Sequence, residues 1–329
     1  MHRFSFFFFF SMLMMNATHS QRLVAFEGQA QGTYYIVKYL SDDTATLQPA
    51  VEQLFTDIDH SLSLWDPHSL INQFNNNDRG VPMDAHMRYV LEKSLAVSAQ
   101  TNGAFDITVK PLVDLWGFGV VRHQRKPTTD SIRKALRVTG YKLLQLKGDS
   151  LLKRKPGVQI DCNGVAQGYT TDCVARLLEQ RGIQHYLVDV GGELRAKGVN
   201  AKGKPWSVGV ERPSGNTSLP AQSLVYLKNN AVATSGNYRR FFDEGKTRYA
   251  HTINPQTGIA LHSNVISVTV VADDCITADA FDNALILWGP VKGLQFIRQH
   301  PGLHLAACYI FTDKAGKTQE VFTEGFFDK

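Results

Sequence analysis

Apolar positions along the chain repeat with two different periods, and the order of those periods sets the fold class. The segment VAFEGQAQGTYYIVKYL, from Val24 to Leu40, alternates in its second half, with Tyr34, Ile36 and Lys38 opposite Tyr35 and Val37. Gly28 and Gly32 interrupt its first half, so it predicts two strand pieces around a bend. Residues 46–63, 86–101, 129–139 and 165–181 carry apolar residues at helical spacing. Apolar runs at 185–190, 206–211, 223–228, 231–234, 265–272 and 304–312 predict strands. Helices and strands come in blocks, with several strands in succession from 185 onward. That order favours an α+β fold with largely antiparallel sheet over a doubly wound one. VDVGGELRAKG, residues 188–198, begins like a dinucleotide-binding unit, but G-x-G-x-x-G is absent and no helical pattern follows. A tight turn between strands, with Gly191 and Gly192 at positive φ, is the better account.

Composition narrows the class without naming a chemistry. A chain of 329 residues with 43% hydrophobic and 20% charged residues is an ordinary globular protein, large enough for one big domain or two modest ones. A net charge of +5, with no run of basic residues, builds no nucleic-acid footprint. After Met1, His2 and Arg3, an apolar run from Phe4 to Met15 falls short of the ~20 residues that a spanning helix needs. It reads as a secretory signal, with Thr18 and Ser20 before a possible cut at Gln21 and an uncleaved anchor as the alternative; residues 1–20 are then the expected signal peptide and 21–329 the exported chain, without a membrane span. The first cysteine is Cys162, so an N-terminal lipid-anchored cysteine is not expected. Cys162, Cys173, Cys275 and Cys308 match no zinc spacing and read as buried free thiols.

Four stretches carry candidate chemistry. ITADAFDNALILWG (276–289) is a buried amphipathic helix whose first turns hold Asp279, Asp282 and Asn283. With Thr277 as N-cap, Asp279 sits in the first turn, where the helix dipole favours a carboxylate. Asn283, four residues on and on the same face, is a poor helix residue unless its oxygen has a partner. Oxygen donors at i, i+3 and i+4 suit a hard cation such as Mg²⁺; the spacing permits that site without requiring it. DCNGVAQGYTTD (161–172) begins a helix, either as a phosphate cradle or, taken alone, as a plain helix capped by Asn163. TNGAFDITVKPLVDLWGFG (101–119) sets Asp106 among apolar residues, so its carboxylate must be hydrogen-bonded to backbone or to a ligand. TSGNYRRFF (234–242) and RYAHTINPQTG (248–258) gather Thr234, Ser235, His251, Asn254 and Thr257 in a strand pair with turns. No G-x-S-x-G elbow accompanies Ser235 and His251, which disfavours a hydrolase triad.

Together with GQAQGTYY at 28, LSLWDPHSLINQFN at 62, DVGGELRAKG at 189 and HTINPQTG at 251, these stretches run in the order of a known family. The chain resembles the FAD:protein FMN transferases, or ApbE-like flavin transferases, through about residues 26–290. The resemblance implies a single compact α+β domain with largely antiparallel sheets, flanking helices and a cofactor cleft between lobes. It implies transfer of FMN from FAD to a threonine hydroxyl of an acceptor protein, with release of AMP. Gln31, Trp65, Ala104, Phe105, Asp106, Asp161, Gln167 and Ile253 match cofactor contacts, and Trp65 would stack on the isoalloxazine ring. The carbonyl of Gly164, with Asp279, Asp282 and Asn283, matches the Mg²⁺ site, and His251 matches the general base. The family usually has threonine where Asn283 stands. Its acceptors are subunits of membrane redox complexes, which here implies a periplasmic protein. Hydrolysis of FAD at the same site, and flavin carriage without chemistry, are the competing readings.

Overall fold

A computed structural model describes residues 21–209, 224–237, 241–244 and 247–327. The expected signal segment, 1–20, lies outside the described residues, as do 210, 211 and 223 at the ends of two expected strands. The bend expected near Gly32 is a two-residue turn. β1 (Arg22–Ala30) and β2 (Thr33–Ser41) pair antiparallel with Ala30 opposite Thr33, and Gln31 and Gly32 take φ of +53° and +75°. Positive φ at both central residues matches the right-handed twist of a hairpin. The chain continues through α1 (Gln48–Leu62), α2 (Leu70–Asn75), β3 (Gly80–Pro82), α3 (Ala85–Gln100), α4 (Lys110–Leu115) and α5 (Thr129–Leu136). α1 and α5 fall inside the segments of helical spacing, and α3 begins one residue before its segment. The six-residue α2 and α4 are too short for a 3.6-residue period to register.

β4 (Leu144–Lys147) and β5 (Ser150–Lys153) join β3 in a small separate sheet. After α6 (Ala166–Gln180) come β6 (Tyr186–Val190) and β7 (Glu193–Lys197), the hairpin expected in place of a dinucleotide unit, with Gly191 and Gly192 at φ of +65° and +105°. Then follow β8 (Trp206–Gly209), β9 (Leu224–Leu227), β10 (Ala231–Gly236), β11 (Phe241–Glu244), β12 (Thr247–Ala250) and β13 (Val265–Ala272). α7 (Cys275–Gln299), β14 (Ala306–Thr312) and β15 (Thr318–Phe322) finish the described chain.

The main sheet runs β1-β2-β6-β7-β10-β13-β14-β15, and every described pairing in it is antiparallel. β13 (VISVTVVA) is buried almost throughout because both of its faces are covered. Val268, Val270 and Ala272 pack into the central core with Ile276, Ala280, Phe281, Ala284 and Leu285 of α7, while Val271 faces a second cluster with Trp206, Val225, Leu227 and Phe326. A bulge between Val265 and Ser267 shifts the parity, which lets Val265 join the α7 side as well. Each such buried aliphatic or aromatic side chain contributes about 1.5–3 kcal/mol.

α7 sets where the chemistry can sit. Its first limb, up to Trp288, is the helix expected from ITADAFDNALILWG; the break comes at Gly289, with φ +72° and ψ 176°, followed by Pro290. Thr277 is not the cap. Asp274 is, with its carboxylate accepting from Thr277 N at 2.9 Å, because an aspartate in extended backbone reaches the N3 amide that a residue already in the helix does not. All four cysteines are free and buried, as their spacing implied.

Candidate functional site

Two helices facing each other form an acidic wall. Asp279 and Asp282 of α7 are 5% and 2% exposed. Because the helix starts at Cys275, Asp279 lies beyond the first turn and does not serve its own helix dipole. Its carboxylate crosses to α6 and accepts from Gly168 N at 2.8 Å. Asn163 does not cap α6 either. The helix begins at Ala166, with Val165 at the cap position making no side-chain cap bond, and Asn163 N instead donates to Asp161 Oδ1 at 2.8 Å. Val165 N and Ala166 N both donate to Cys162 O. The backbone amides expected to cradle phosphate are thus largely spent inside the protein, and charge neutralisation must come from elsewhere.

Asn283 brings the wall together. Its Nδ2 donates to Gly164 O at 3.0 Å, Asp279 O at 2.8 Å and Asp282 Oδ1 at 2.9 Å. Sequence spacing put its oxygen toward a cation; the structure turns the nitrogen that way, because the neighbouring atoms are acceptors and only the NH₂ can satisfy them. Glu193, the first residue of β7, is buried, lines the same cleft and adds a third carboxylate to this wall, within electrostatic reach of Asp282. Burial pushes the Asp279 carboxyl up to about 7, with Asp172 adding to the rise and the Gly168 N–H opposing it. Asp282 is raised well above the usual carboxylate range by burial, then by Asp279 and Glu193. No Lys or Arg is among the described residues that line the cleft.

The opposite wall comes from α1, the β1–β2 turn and two loops. Ile58, Asp59 and Leu62 of α1 line the cleft, and Trp65 stands on its rim with 58% of its surface exposed. Gln31, in its left-handed turn, donates from Nε2 to Asp59 Oδ1 at 3.1 Å. An ionised carboxylate only accepts, so Asp59 fixes which end of the Gln31 amide faces it. Gly191 lies between this turn and α6: a Cβ there would stand 2.4 Å from Gln167 Nε2 and 2.8 Å from Thr33 Cγ2.

Asp106 is buried and satisfied within the protein, accepting from Thr108 N at 2.8 Å, Thr108 Oγ1 at 2.6 Å and Tyr141 N at 2.7 Å. Its carboxyl is nonetheless raised, burial outweighing those bonds. The loop that carries it is tied to the His251 loop twice: Gln256 Nε2 donates to Asn102 O at 2.7 Å, and Trp116 Nε1 to Gly258 O at 2.8 Å. Asp161 N donates to Ile107 O at 2.8 Å, which joins the same loop to the start of α6.

A cleft of about 440 Å³ results, within the usual size of a small-molecule site. Gln31, Trp65, Ala104, Phe105, Asp106, Asp161, Gly164, Gln167, His251, Ile253, Asp279, Asp282 and Asn283 all line it. Sequence reasoning missed Asp59, Glu193, Val113 and Phe118, which line it too. Asp59 borders the buried stripe Phe55, Ile58, Leu62 of α1, and Glu193 directly follows the paired glycines; both signals were visible but not distinctive. Among the described residues, no group of three or more His, Cys, Asp or Glu side chains is placed to hold a metal by itself. The donors here are of mixed type, buried carboxylates beside a backbone carbonyl and an amide, all able to offer oxygen. That set fits a hard cation such as Mg²⁺, and buried carboxylates call for counter-charge.

Fold and site together define an α+β protein whose main cleft among the described residues offers an aromatic rim at one side and an acidic wall at the other. A sequence model described as the ApbE family matches residues 31–307, and the chain belongs to that family. The FAD:protein FMN transferase of Vibrio cholerae is 34% identical over 278 residues, covering 82% of this chain and 83% of that protein. That of Escherichia coli is 34% identical over 292 residues, covering 86% and 83%. Among solved structures, the apo flavinyl transferase ApbE of Pseudomonas stutzeri superposes with a TM-score of 0.85 at 34% identity, over 94% of this chain and 98% of that one.

Proposed function

We propose that the protein is a flavin transferase that moves FMN from FAD to a threonine hydroxyl of an acceptor protein and releases AMP, with Mg²⁺ required. The observation that carries the reading is one cleft, in a chain of the ApbE family, that joins the Trp65 rim to the buried Asp279–Asp282 wall. Trp65 stacks on the flavin ring, and Gln31, Ala104, Phe105, Asp106, Asp161, Gln167 and Ile253 surround the remainder of FAD. Gly164 O, Asp279, Asp282 and the Asn283 side chain would hold Mg²⁺, which would supply neutralisation of the pyrophosphate that the described lining, without Lys or Arg, does not. The threonine oxygen attacks the phosphorus of the FMN half, the bond to the bridging oxygen breaks, and AMP departs with that oxygen. His251 takes the hydroxyl proton, a contribution of about 10²- to 10⁴-fold. Export through residues 1–20 places the reaction in the periplasm, with an exported subunit of a membrane redox complex as acceptor.

Incubation with FAD and Mg²⁺, with and without an acceptor protein bearing an exposed threonine, tests this reading. In-gel flavin fluorescence on the acceptor after denaturation is expected for wild type and lost in Asp279→Ala and His251→Ala. AMP release that ignores the acceptor would mean hydrolysis instead. Equal acceptor labelling by wild type and Asp279→Ala would remove the metal assignment.

A further inference from the structure

Behind the acidic wall lies an arrangement that touches no ligand. Asp172 of α6 is wholly buried, and neither it nor Arg195 of β7 lines the cleft. Asp172 gives both of its oxygens to the first turn of α7: Oδ1 accepts from Cys275 N at 3.0 Å and Oδ2 from Ile276 N at 2.9 Å. Arg195 Nη1 closes on Oδ1 at 2.6 Å. In the other direction, Asp279 of α7 accepts from Gly168 N in the first turn of α6 at 2.8 Å. Each helix therefore lends a carboxylate to the opening amides of the other.

Capping alone does not account for Asp172, since Asp274 already caps α7 locally. Nor does stability, because a buried ion pair gains little over apolar packing; the two bonds to Cys275 N and Ile276 N tie the start of α7 to α6. The geometry is tight. A Cβ on Gly168 would stand 2.5 Å from Cys275 O and 2.7 Å from Asp279 Cβ, so the two backbones meet without an intervening side chain. Asp279, Asp282 and Asn283 lie one to two turns beyond the amides that Asp172 holds, and Gly164 lies just ahead of α6. A shift of α7 along α6 therefore changes how Asp282 and Asn283 meet the Gly164 carbonyl. Asp172 also engages the Arg195 guanidinium on the side away from the cleft.

We propose that Asp172, held by Arg195, is a positioning residue for the cation site: it sets the register of α7 on α6 and thereby the spacing of the oxygen donors. The inference rests on the cation reading above. The probe is Mn²⁺, followed by electron paramagnetic resonance on the full-length protein with FAD bound. Asp172→Asn keeps the size of the side chain but puts an NH₂ against a backbone N–H. It should raise the Mn²⁺ half-saturation of the folded protein about 10- to 100-fold, the usual cost of losing a residue that orients metal ligands. Gly168→Ala forces the same helices apart without altering a charge and should raise it likewise. A residue that only supports folding would lower the melting temperature and the folded fraction and leave the half-saturation of the folded fraction where it was.

Folded variants that take up Mn²⁺ like wild type overturn the proposal. A wild-type protein that binds no Mn²⁺ in the presence of FAD overturns the cation reading beneath it. A measurement on wild type alone gives an independent test. Coupling between two sites is reciprocal, so FAD with Mn²⁺ should slow hydrogen exchange at the Cys275 and Ile276 amides. Unchanged exchange there counts against the proposal even if neither variant folds.

Discussion

Replacing Asp279 by asparagine should make the cation-free protein less sensitive to alkaline pH. The carboxyl is buried, and its folded value of about 7 lies above the 3.8 of an exposed aspartate. Between those two values the folded state holds a proton that the unfolded state has released, so stability falls as pH rises through the interval. At about 1.4 kcal/mol for each pH unit, the full loss is about 4 kcal/mol, of which about 3 kcal/mol falls between about pH 4.5 and about pH 7.5. Asp282 adds a slope of the same sign, since burial and Asp279 both raise it, and the substitution relieves part of that too. Asparagine keeps an oxygen for the Gly168 N–H, so the helix contact survives. Urea unfolding in EDTA at the two pH values measures the effect: wild type should lose several kcal/mol on going up in pH, and Asp279→Asn clearly less. A wild-type stability that is flat or rising over that interval, or a variant with the wild-type slope, would refute the picture of a buried carboxylate without counter-charge.

Three further substitutions separate parts of the cleft. Trp65→Ala should leave urea stability within about 0.5 kcal/mol, because the ring is largely exposed, while weakening FAD binding roughly three- to tenfold in a fluorescence titration. Gly191→Ala adds a Cβ at positive φ against Gln167 and Thr33; it should cost about 1–3 kcal/mol in stability and raise the KM for FAD. Asn283→Thr removes an NH₂ that donates to Gly164 O and Asp282, two oxygens assigned to the cation, so Mg²⁺ should half-saturate at lower concentration by calorimetry. The same change should lower cation-free stability by about 1–2 kcal/mol for the lost bonds.

What could be read from the sequence was what repeats locally. Period-2 alternation and the Gly32 bend gave the β1–β2 hairpin, and the paired glycines gave the β6–β7 turn. β15, by contrast, reads TQEVF, an edge strand whose polar residues carry no alternation strong enough to register. The site shows the same division. Asp279, Asp282 and Asn283 declared themselves by sitting in an otherwise apolar helix, and Asp106 by its apolar neighbours. Their partners did not, because Gly168 N, Tyr141 N and Gly164 O are backbone atoms 111, 35 and 119 residues away along the chain. Both mistaken caps, Thr277 and Asn163, came from judging helix starts by the residue beside the apolar run. The boundaries lie three and two residues away, at Asp274 and Val165, and that displacement changed what the nearby carboxylate does.

The placement of charge explains why the site occupies this part of the fold. A buried aspartate is costly wherever it lies, and α6 and α7 together bury three of them: Asp172, Asp279 and Asp282. Among the described residues it is Asp172 that receives a guanidinium, that of Arg195 at 2.6 Å. Had Arg195 paired with Asp279 or Asp282 instead, the wall would carry one negative charge fewer and a divalent ion would gain less by binding. Matching Arg195 to the aspartate that does not line the cleft leaves Asp279 and Asp282 facing the ligand, where an incoming cation and a pyrophosphate can balance their charge together. Backbone amides at the two helix starts then hold Asp172 and Asp279 in place at little cost, since those donors needed acceptors in any case. The acidic wall is thus a region where local stability is given up, and the helix crossing behind it holds the carboxylates in place.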